Sequence, residues 1–406
     1  MVIETSDNLL KALHESRLFD ADEFHTFASD LEPFGTDLPG IIQYILKNER
    51  LTIYQLRKIL QGKGSELVIG SYKILDRLGE GGMGRVFRAR QVRVGREVAL
   101  KVIRPSLLAN PIVRGRYERE VEAASSLRHP NIVAVEDAGS VDGKYYLAME
   151  FVDGIDLAIL TRDHRPLEIP EACEYARQTA MGLLHAHEAG FVHRDIKPSN
   201  IVVAGERHVP QATEPAVVKI LDMGLIRAIG LEEIAVSQKD SIRARNDSSA
   251  LTRDGAVVGT PDYMAPEQAK DSRAVDHRAD LYSLGCTLYF LLTGQPPFPE
   301  GTSGEKVLRH QFDHPAPLQA LRPDVPTSVA AIVARLMAKN PADRFPDAAI
   351  VAENLAPLSI YPSGSQPVPL MQRRGRRVAG AETPVASDRS TFPSARTPYS
   401  DGVSGT

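Results

Sequence analysis

Apolar residues recur at helical spacing through the first 64 positions. Leu9, Leu10 and Leu13 follow Ser6, a residue able to cap a helix, and Phe24, Phe27 and Leu31 predict a second helix. The sharpest local signal is Leu51-Thr52-Ile53-Tyr54-Gln55-Leu56. Thr52 and Gln55 have capping-box spacing, Leu51 and Leu56 have staple spacing, and Gly62 supplies a stop. Residues 1–64 therefore predict a small module of short helices, packed on one another or on whatever follows. No ionisable residues cluster there, which favours packing or docking over a ligand site.

The period changes at Tyr72. Val86-Phe87-Arg88-Ala89-Arg90 alternates like a strand, and Arg96 to Ile103 reads as its hairpin partner. The turn before them, "LGEGGMGRVFRAR" from Leu78 to Arg90, places four glycines in six positions. Glycine costs backbone entropy, so such a loop implies a special turn or close approach to something else. Successive backbone N–H groups in it could cradle phosphate. A P-loop would need Lys and then Ser or Thr after Gly84, but Arg85 and Val86 stand there. A dinucleotide fold would open a helix at this point, where a strand begins instead. Taken alone, the loop fits a phosphate lid and a plain glycine-rich turn equally well.

Further on, the pattern is mainly helical. Asn110-Pro111 can open a helix whose Tyr117, Val121 and Ala124 form an apolar stripe that also carries Glu120. Leu281 to Leu292 predicts a buried core helix, too short to span a bilayer. Past Pro362 the chain turns to Ser, Pro, Thr, Gly and Arg, and a disordered tail over 359–406 is expected. Its Arg373-Arg374-Gly375-Arg376-Arg377 cluster fits either an acidic partner or a solvated charge run.

Composition narrows the function classes. A formal net charge of -4 over 406 residues gives no general pull toward nucleic acid or anionic membrane. The two cysteines, Cys173 and Cys286, lie in apolar helical surroundings, which argues against a disulfide scaffold or a zinc site. With no signal-like N-terminus in Met1 to Asp7 and no membrane span, the expected setting is the cytoplasm.

Chemistry concentrates in a few places. A lid over phosphates needs a cation beneath it, and Lys101 closes the second strand. An inward carboxylate is costly unless paired, so Glu120 is the expected partner of Lys101, whereas Glu118 and Glu122 point elsewhere. "FVHRDIKPSNIVV", Phe191 to Val203, sets His, Arg, Asp, Lys and Asn between apolar strands. Asp195 there can accept a proton from an attacking hydroxyl, and Lys197 can neutralise charge on a transferring phosphoryl group. Asn200, with Asp222 in "VKILDMGLIRA", supplies hard oxygen ligands suited to magnesium.

This set resembles the Hanks-type, eukaryotic-like bacterial serine/threonine protein kinases, whose signature elements occur in order over about seven-tenths of the chain. They are Gly79, Gly81 and Gly84; Val98-Ala99-Leu100-Lys101; Glu120; His193-Arg194-Asp195; Asn200; Asp222; Ala265-Pro266-Glu267; Asp280; and Arg344 in "NPADRF". The resemblance implies an α+β, two-lobed kinase fold, a mainly β small lobe and a mainly α large lobe, over 72–358. It implies a non-specific serine/threonine protein kinase using ATP and Mg²⁺. By the same resemblance Leu78, Gly79, Glu80, Gly81, Gly82, Met83 and Gly84 form the phosphate lid, and Lys101 binds the α- and β-phosphates. Val86 and Ala99 roof the adenine, Met149 is the gatekeeper, Glu150 and Val152 offer hinge hydrogen bonds, and Val202 lies below the ring. Glu267 and Arg344 are expected as a structural ion pair.

Lys197, two positions after Asp195, and Thr260 in "GTPDYMAPE" favour serine or threonine over tyrosine as acceptor. Thr252, ahead of Ser248 and Ser249, is the expected autophosphorylation site, with Arg194 as its phosphate's partner. Met223 replaces the usual aromatic after Asp222, and insertions follow Ala204 and Asp222. The implied partners are protein substrates with Ser or Thr acceptors, and a homodimer through the kinase domain is left open. The rival reading is a catalytically weak kinase-fold scaffold that acts by docking. Its signature, loss of Lys101, Asp195, Asn200 or Asp222, is missing from the sequence.

Overall fold

The computed structural model describes residues 3–164, 166–205, 216–222, 261–270 and 275–359. The N-terminal segment forms four helices, α1 (Ser6–Glu15), α2 (Ala21–Leu31), α3 (Leu38–Lys47) and α4 (Ile53–Leu60). Ser6 is not the cap of α1. Thr5 is, its hydroxyl accepting from Asn8 N at 3.3 Å, while Ser6 is buried in the first turn. Two adjacent hydroxyl residues compete for a cap, and the one with extended backbone wins. The capping box of α4 forms as its spacing predicts, with Thr52 and Gln55 bonding reciprocally.

Six antiparallel strands follow, in the order β1-β2-β3-β4-β6-β5. They are β1 (Val68–Ile69), β2 (Tyr72–Gly81), β3 (Gly84–Gln91), β4 (Glu97–Ile103), β5 (Val135–Val141) and β6 (Lys144–Glu150). Side chains alternate across a sheet, so strand register assigns each residue to a face. Ala99 pairs with Met149 and Lys101 with Leu147, which puts the predicted nucleotide residues on one face. Phe87, Ala89, Val98, Leu100, Tyr146 and Ala148 take the opposite face and share a single core with Leu9, Leu13, Phe27, Ile41, Ile45, Leu56 and Ile59. The helices thus pack both on one another and on this sheet.

The weld is specific. At Leu75 the β2–β3 register slips by one residue, leaving backbone carbonyls that the ladder does not use. Gln55 Nε2 donates to Ile74 O at 2.7 Å and the Thr52 hydroxyl donates to Leu75 O, so α4 satisfies them.

On the face that carries Leu147 and Met149 lies α5 (Pro111–Ser125), opened by Asn110 with Pro111 in the first turn. Tyr117, Val121 and Ala124 are buried and Glu120 is half-buried, whereas Glu118 and Glu122 are exposed, as the stripe predicts.

The second half is mainly helical: α6 (Leu157–His164), α7 (Ile169–Glu188), α8 (Pro266–Lys270), α9 (Arg278–Thr293), α10 (Ser303–Phe312), α11 (Leu318–Leu321), α12 (Thr327–Leu336) and α13 (Ala348–Leu355). A small sheet, β7 (Gly154–Asp156), β8 (Ile201–Ala204) and β9 (Val217–Ile220), lies at its edge. Helix α9 contains the predicted Leu281–Leu292 run and is buried almost throughout. Cys173 and Cys286 are fully buried and unpaired. Among the described residues, no helix is long and apolar enough to cross a membrane. Met223, Ser248, Ser249, Thr252, Thr260, most of the Ala204–Ala216 insertion and the tail with Arg373–Arg377 lie outside the described residues.

Candidate active site

The glycine loop is the β2–β3 hairpin turn. Gly81 pairs with Gly84 at its tip, and Arg104 ties it to the end of β4 by donating its backbone N–H to Met83 O (3.0 Å) and Nη2 to Gly81 O (2.9 Å). The glycines differ in their reasons. A Cβ on Gly84 would come within 2.0 Å of Val102 O, so packing inside the sheet demands that glycine. A Cβ on Gly79, Gly81 or Gly82 would meet nothing within 4 Å. No internal packing calls for glycine there, and the bare backbone is left open to a ligand. Glu80 in this loop is held by Arg77, Arg85 and Arg104.

Beneath the lid, Val86 and Ala99 are half-buried, Met149 and Val202 are buried, and Leu78 sits half-buried at the loop entrance. Glu150 ends β6, its carboxylate paired with Lys219 at 2.9 Å, and Val152 lies just beyond it, packed on the core. Val86, Ala99 and Met149 thus share one face of the six-stranded sheet, and Val202 lies on β8.

The Phe191–Val203 stretch runs from the loop after α7 into β8. Its shape is fixed from below by Asp280 of α9, fully buried, which accepts the backbone N–H groups of His193 (2.8 Å) and Arg194 (2.7 Å) and contacts His187 Nε2 at 2.9 Å. Burial pushes the Asp280 carboxyl up, but His187, His193 and these hydrogen bonds hold it below the usual carboxylate range. His193, also fully buried, bonds Leu221 O through Nε2 (2.9 Å) and accepts Asp195 N at Nδ1 (3.2 Å). Arg194 and Asp222 have left-handed backbone, φ 62° and 48°, an uncommon conformation held here by this network.

Asp195, Lys197 and Asn200 converge on one point. Lys197 Nζ lies 2.9 Å and Asn200 Nδ2 3.0 Å from Asp195 Oδ2. With its amide nitrogen so engaged, the Asn200 oxygen makes no hydrogen bond among the described residues. Asp222 follows β9, and Lys101 Nζ is 2.8 Å from its Oδ2. Desolvation pushes the Asp222 carboxyl up, and the neighbouring Lys101 above all overrides it and holds the carboxyl low. The free Asn200 oxygen and an ionised Asp222 carboxylate form a hard-oxygen donor set that fits magnesium.

The expected partner of Lys101 is Glu120, and this conformation shows a different contact. Lys101 pairs with Asp222, and no ion pair joins it to Glu120 among the described residues. The Asp222 side chain, just after β9, is within hydrogen-bond distance of the ammonium and takes that contact. Residue spacing along α5 gave no sign of this contact. It also did not reveal Asp280 as the anchor of the loop backbone or His187 as its neighbour. The Glu267–Arg344 expectation is met in full, a two-pronged contact at 2.5 and 2.8 Å with the Arg344 side chain fully buried.

The protein kinase domain family matches residues 72–355. The chain belongs to the protein kinase family. It is 41% identical over 276 residues to the serine/threonine-protein kinase pkn3 of Myxococcus xanthus, covering 67% of this chain and 47% of that protein. It is 35% identical to the serine/threonine-protein kinase PknB of Mycobacterium leprae, covering 70% of this chain and 42% of that protein. It therefore spans less than half the length of these curated relatives. The PknI kinase domain of Mycobacterium tuberculosis superposes with a TM-score of 0.53 at 28% identity, covering 72% of this chain and 97% of that structure. These relatives place the chain with the bacterial, Hanks-type serine/threonine kinases, and the two-lobed α+β architecture agrees.

Proposed function

We propose that the protein transfers the γ-phosphate of ATP to serine or threonine hydroxyls of protein substrates. The observation that carries this reading is the convergence of Asp195, Lys197 and Asn200 on one point, with Lys101 and Asp222 paired under a glycine lid. Leu78, the open backbone from Gly79 to Gly84, and Glu80 and Met83 within it, cover the phosphates. Val86, Ala99, Met149 and Val202 enclose the adenine, and the backbone at Glu150 and Val152 orients it. Lys101 binds the α- and β-phosphates, and Glu120 takes over as its partner when α5 and the Asp222 carboxylate are drawn into the working arrangement. Asn200 and Asp222 hold magnesium, which when bound neutralises phosphate charge. Asp195 accepts the proton of the acceptor hydroxyl, and Lys197 at 2.9 Å neutralises charge on the transferring group.

The kinase domain over 72–358 is the catalytic unit, residues 1–64 brace its sheet, and residues 359–406 form a separate tail. Activation includes autophosphorylation of the loop that holds Thr252, with the new phosphate paired to Arg194. The cytoplasm is the proposed setting. The test is transfer of labelled γ-phosphate to a generic basic protein with magnesium present, and its loss on chelation. Magnesium-independent transfer, or none after incubation with ATP, would refute the reading.

A further inference from the structure

The proposed chemistry leaves one motif without a role, the basic run Arg373-Arg374-Gly375-Arg376-Arg377. The structure contains a groove of matching character outside the active site, about 440 Å³ in volume, between α5 and β5. Its floor is apolar, with Tyr117, Val121 and Val135 buried beneath it. Its rim is acidic: Glu118 and Glu122 come from α5, Glu136 and Asp137 from β5, and among the described residues no lysine or arginine lines it. Glu136 is already paired with Arg96 at 3.0 Å, and Asp137 accepts the Tyr72 hydroxyl at 2.7 Å. Glu118 and Glu122 are exposed and have no ion pair among the described residues. The Tyr117 hydroxyl is buried with no hydrogen-bond partner among the described residues. Such a groove suits an extended segment with an apolar anchor, basic side chains and a backbone carbonyl for Tyr117 to donate to.

The chain carries that combination once beyond Ser359. Val368-Pro369-Leu370-Met371 immediately precedes the arginines, and a proline in such a sequence disfavours helix. Thirteen residues separate Ser359 from Arg373, a reach of up to about 45 Å. The starting point lies on the right side of the molecule. The Ser359 hydroxyl lies against the Glu174 carboxylate, which accepts Gln178 Nε2 at 2.9 Å, and Gln178 Oε1 accepts Asn131 Nδ2 at 3.0 Å. Asn131 is four residues from Val135 in the groove floor. A tether of this length gives a local concentration of order millimolar, enough for a modest contact to persist.

We propose that residues 368–377 dock back onto their own chain in this groove. Leu370 and Met371 cover the apolar floor, and the arginines face Glu118 and Glu122. The segment then contacts α5, the helix that carries Glu120. The docking does not depend on phosphoryl transfer, so its failure and that of the proposed function are separate.

The test uses the full chain with Ser125→Cys in the groove and Gln372→Cys in the tail. The native Cys173 and Cys286 are fully buried and will not compete for mild oxidant. The expected result is a disulfide within one chain, located by peptide mass mapping. Reversing the four arginines to glutamate should slow its formation at least tenfold, as should Glu118→Lys with Glu122→Lys, and combining both reversals should restore it. Three results would each overturn the proposal. The first is no disulfide; the second is a rate indifferent to charge reversal, which reflects the tether alone. The third is a disulfide joining two chains, which assigns the groove to a second copy.

Discussion

Glu267→Ala tests whether the fold of the helical lobe depends on a buried charge pair. Arg344 is fully buried at its side chain, and each guanidinium nitrogen has a partner. Nε donates to Ala338 O (2.8 Å), Nη1 to Glu267 Oε1 (2.5 Å) and Arg278 O (2.8 Å), and Nη2 to Glu267 Oε2 (2.8 Å) and Lys339 O (3.3 Å). Removing Glu267 leaves three carbonyl contacts around a guanidinium that cannot lose its proton. Breaking a buried pair from one side costs about 3–5 kcal/mol, because the remaining charge is uncompensated. Replacing both partners with apolar residues, Glu267→Leu with Arg344→Met, removes the charge as well and should cost less than Glu267→Ala alone. Urea unfolding followed by far-ultraviolet circular dichroism is the assay, since the chain has no tryptophan to report by fluorescence. A loss below about 1 kcal/mol for Glu267→Ala would place the pair in the class of surface salt bridges and refute the argument.

In the unliganded protein, Asp222→Asn should weaken a Lys101 contact that Glu120→Ala does not touch. Glu120→Ala should therefore leave stability within about 0.5 kcal/mol, while both substitutions lower activity; equal stability losses would mean that Glu120 already holds Lys101. Burial, with Lys339 and Lys306 nearby, pushes the fully buried His310 imidazole down to about 4. The unfolded chain takes up that proton near pH 6.5, so it binds more protons than the folded one between the two values. Stability is then full above about pH 6.5 and falls by up to about 3 kcal/mol as pH drops toward 4. His310→Gln should flatten this slope in denaturation series, and an unchanged slope would reject the assignment. Thr52→Val and Gln55→Ala should each cost about 1–2 kcal/mol, through the lost cap and the unpaired β2 carbonyls. Hydrogen exchange of the Asp76 and Arg77 amides should accelerate with them, and unchanged exchange would mean that α4 does not brace β2.

Local signals with a fixed spacing were legible in the sequence: the α4 capping box, the Asn110-Pro111 helix opening, the glycine hairpin and the α9 core run. Each depends on residues a few positions apart. Contacts between distant segments were not legible from spacing. Phe87 and Leu100 read as ordinary strand residues, and nothing local told that their face would be covered by Leu9, Phe27 and Ile45. The bulge at Leu75 that Thr52 and Gln55 satisfy appears only when the strand register is known. Ser6 was misread because Thr5 is chemically as good a cap. In the site, residue types were legible but pairings were not. Lys101, Glu120 and Asp222 are far apart in sequence, and only three-dimensional placement decides which carboxylate the ammonium meets.

The most direct test of the central claim is phosphoryl transfer by wild-type protein and Asp195→Asn side by side, under magnesium and ATP, with nucleotide binding measured on the same samples. Asp195 lies outside the nucleotide-covering face of the sheet and is held by Lys197 and Asn200. The substitution should therefore leave ATP binding nearly unchanged and lower transfer to serine or threonine by about 10²–10⁴-fold. Wild-type turnover by Asp195→Asn would contradict the account.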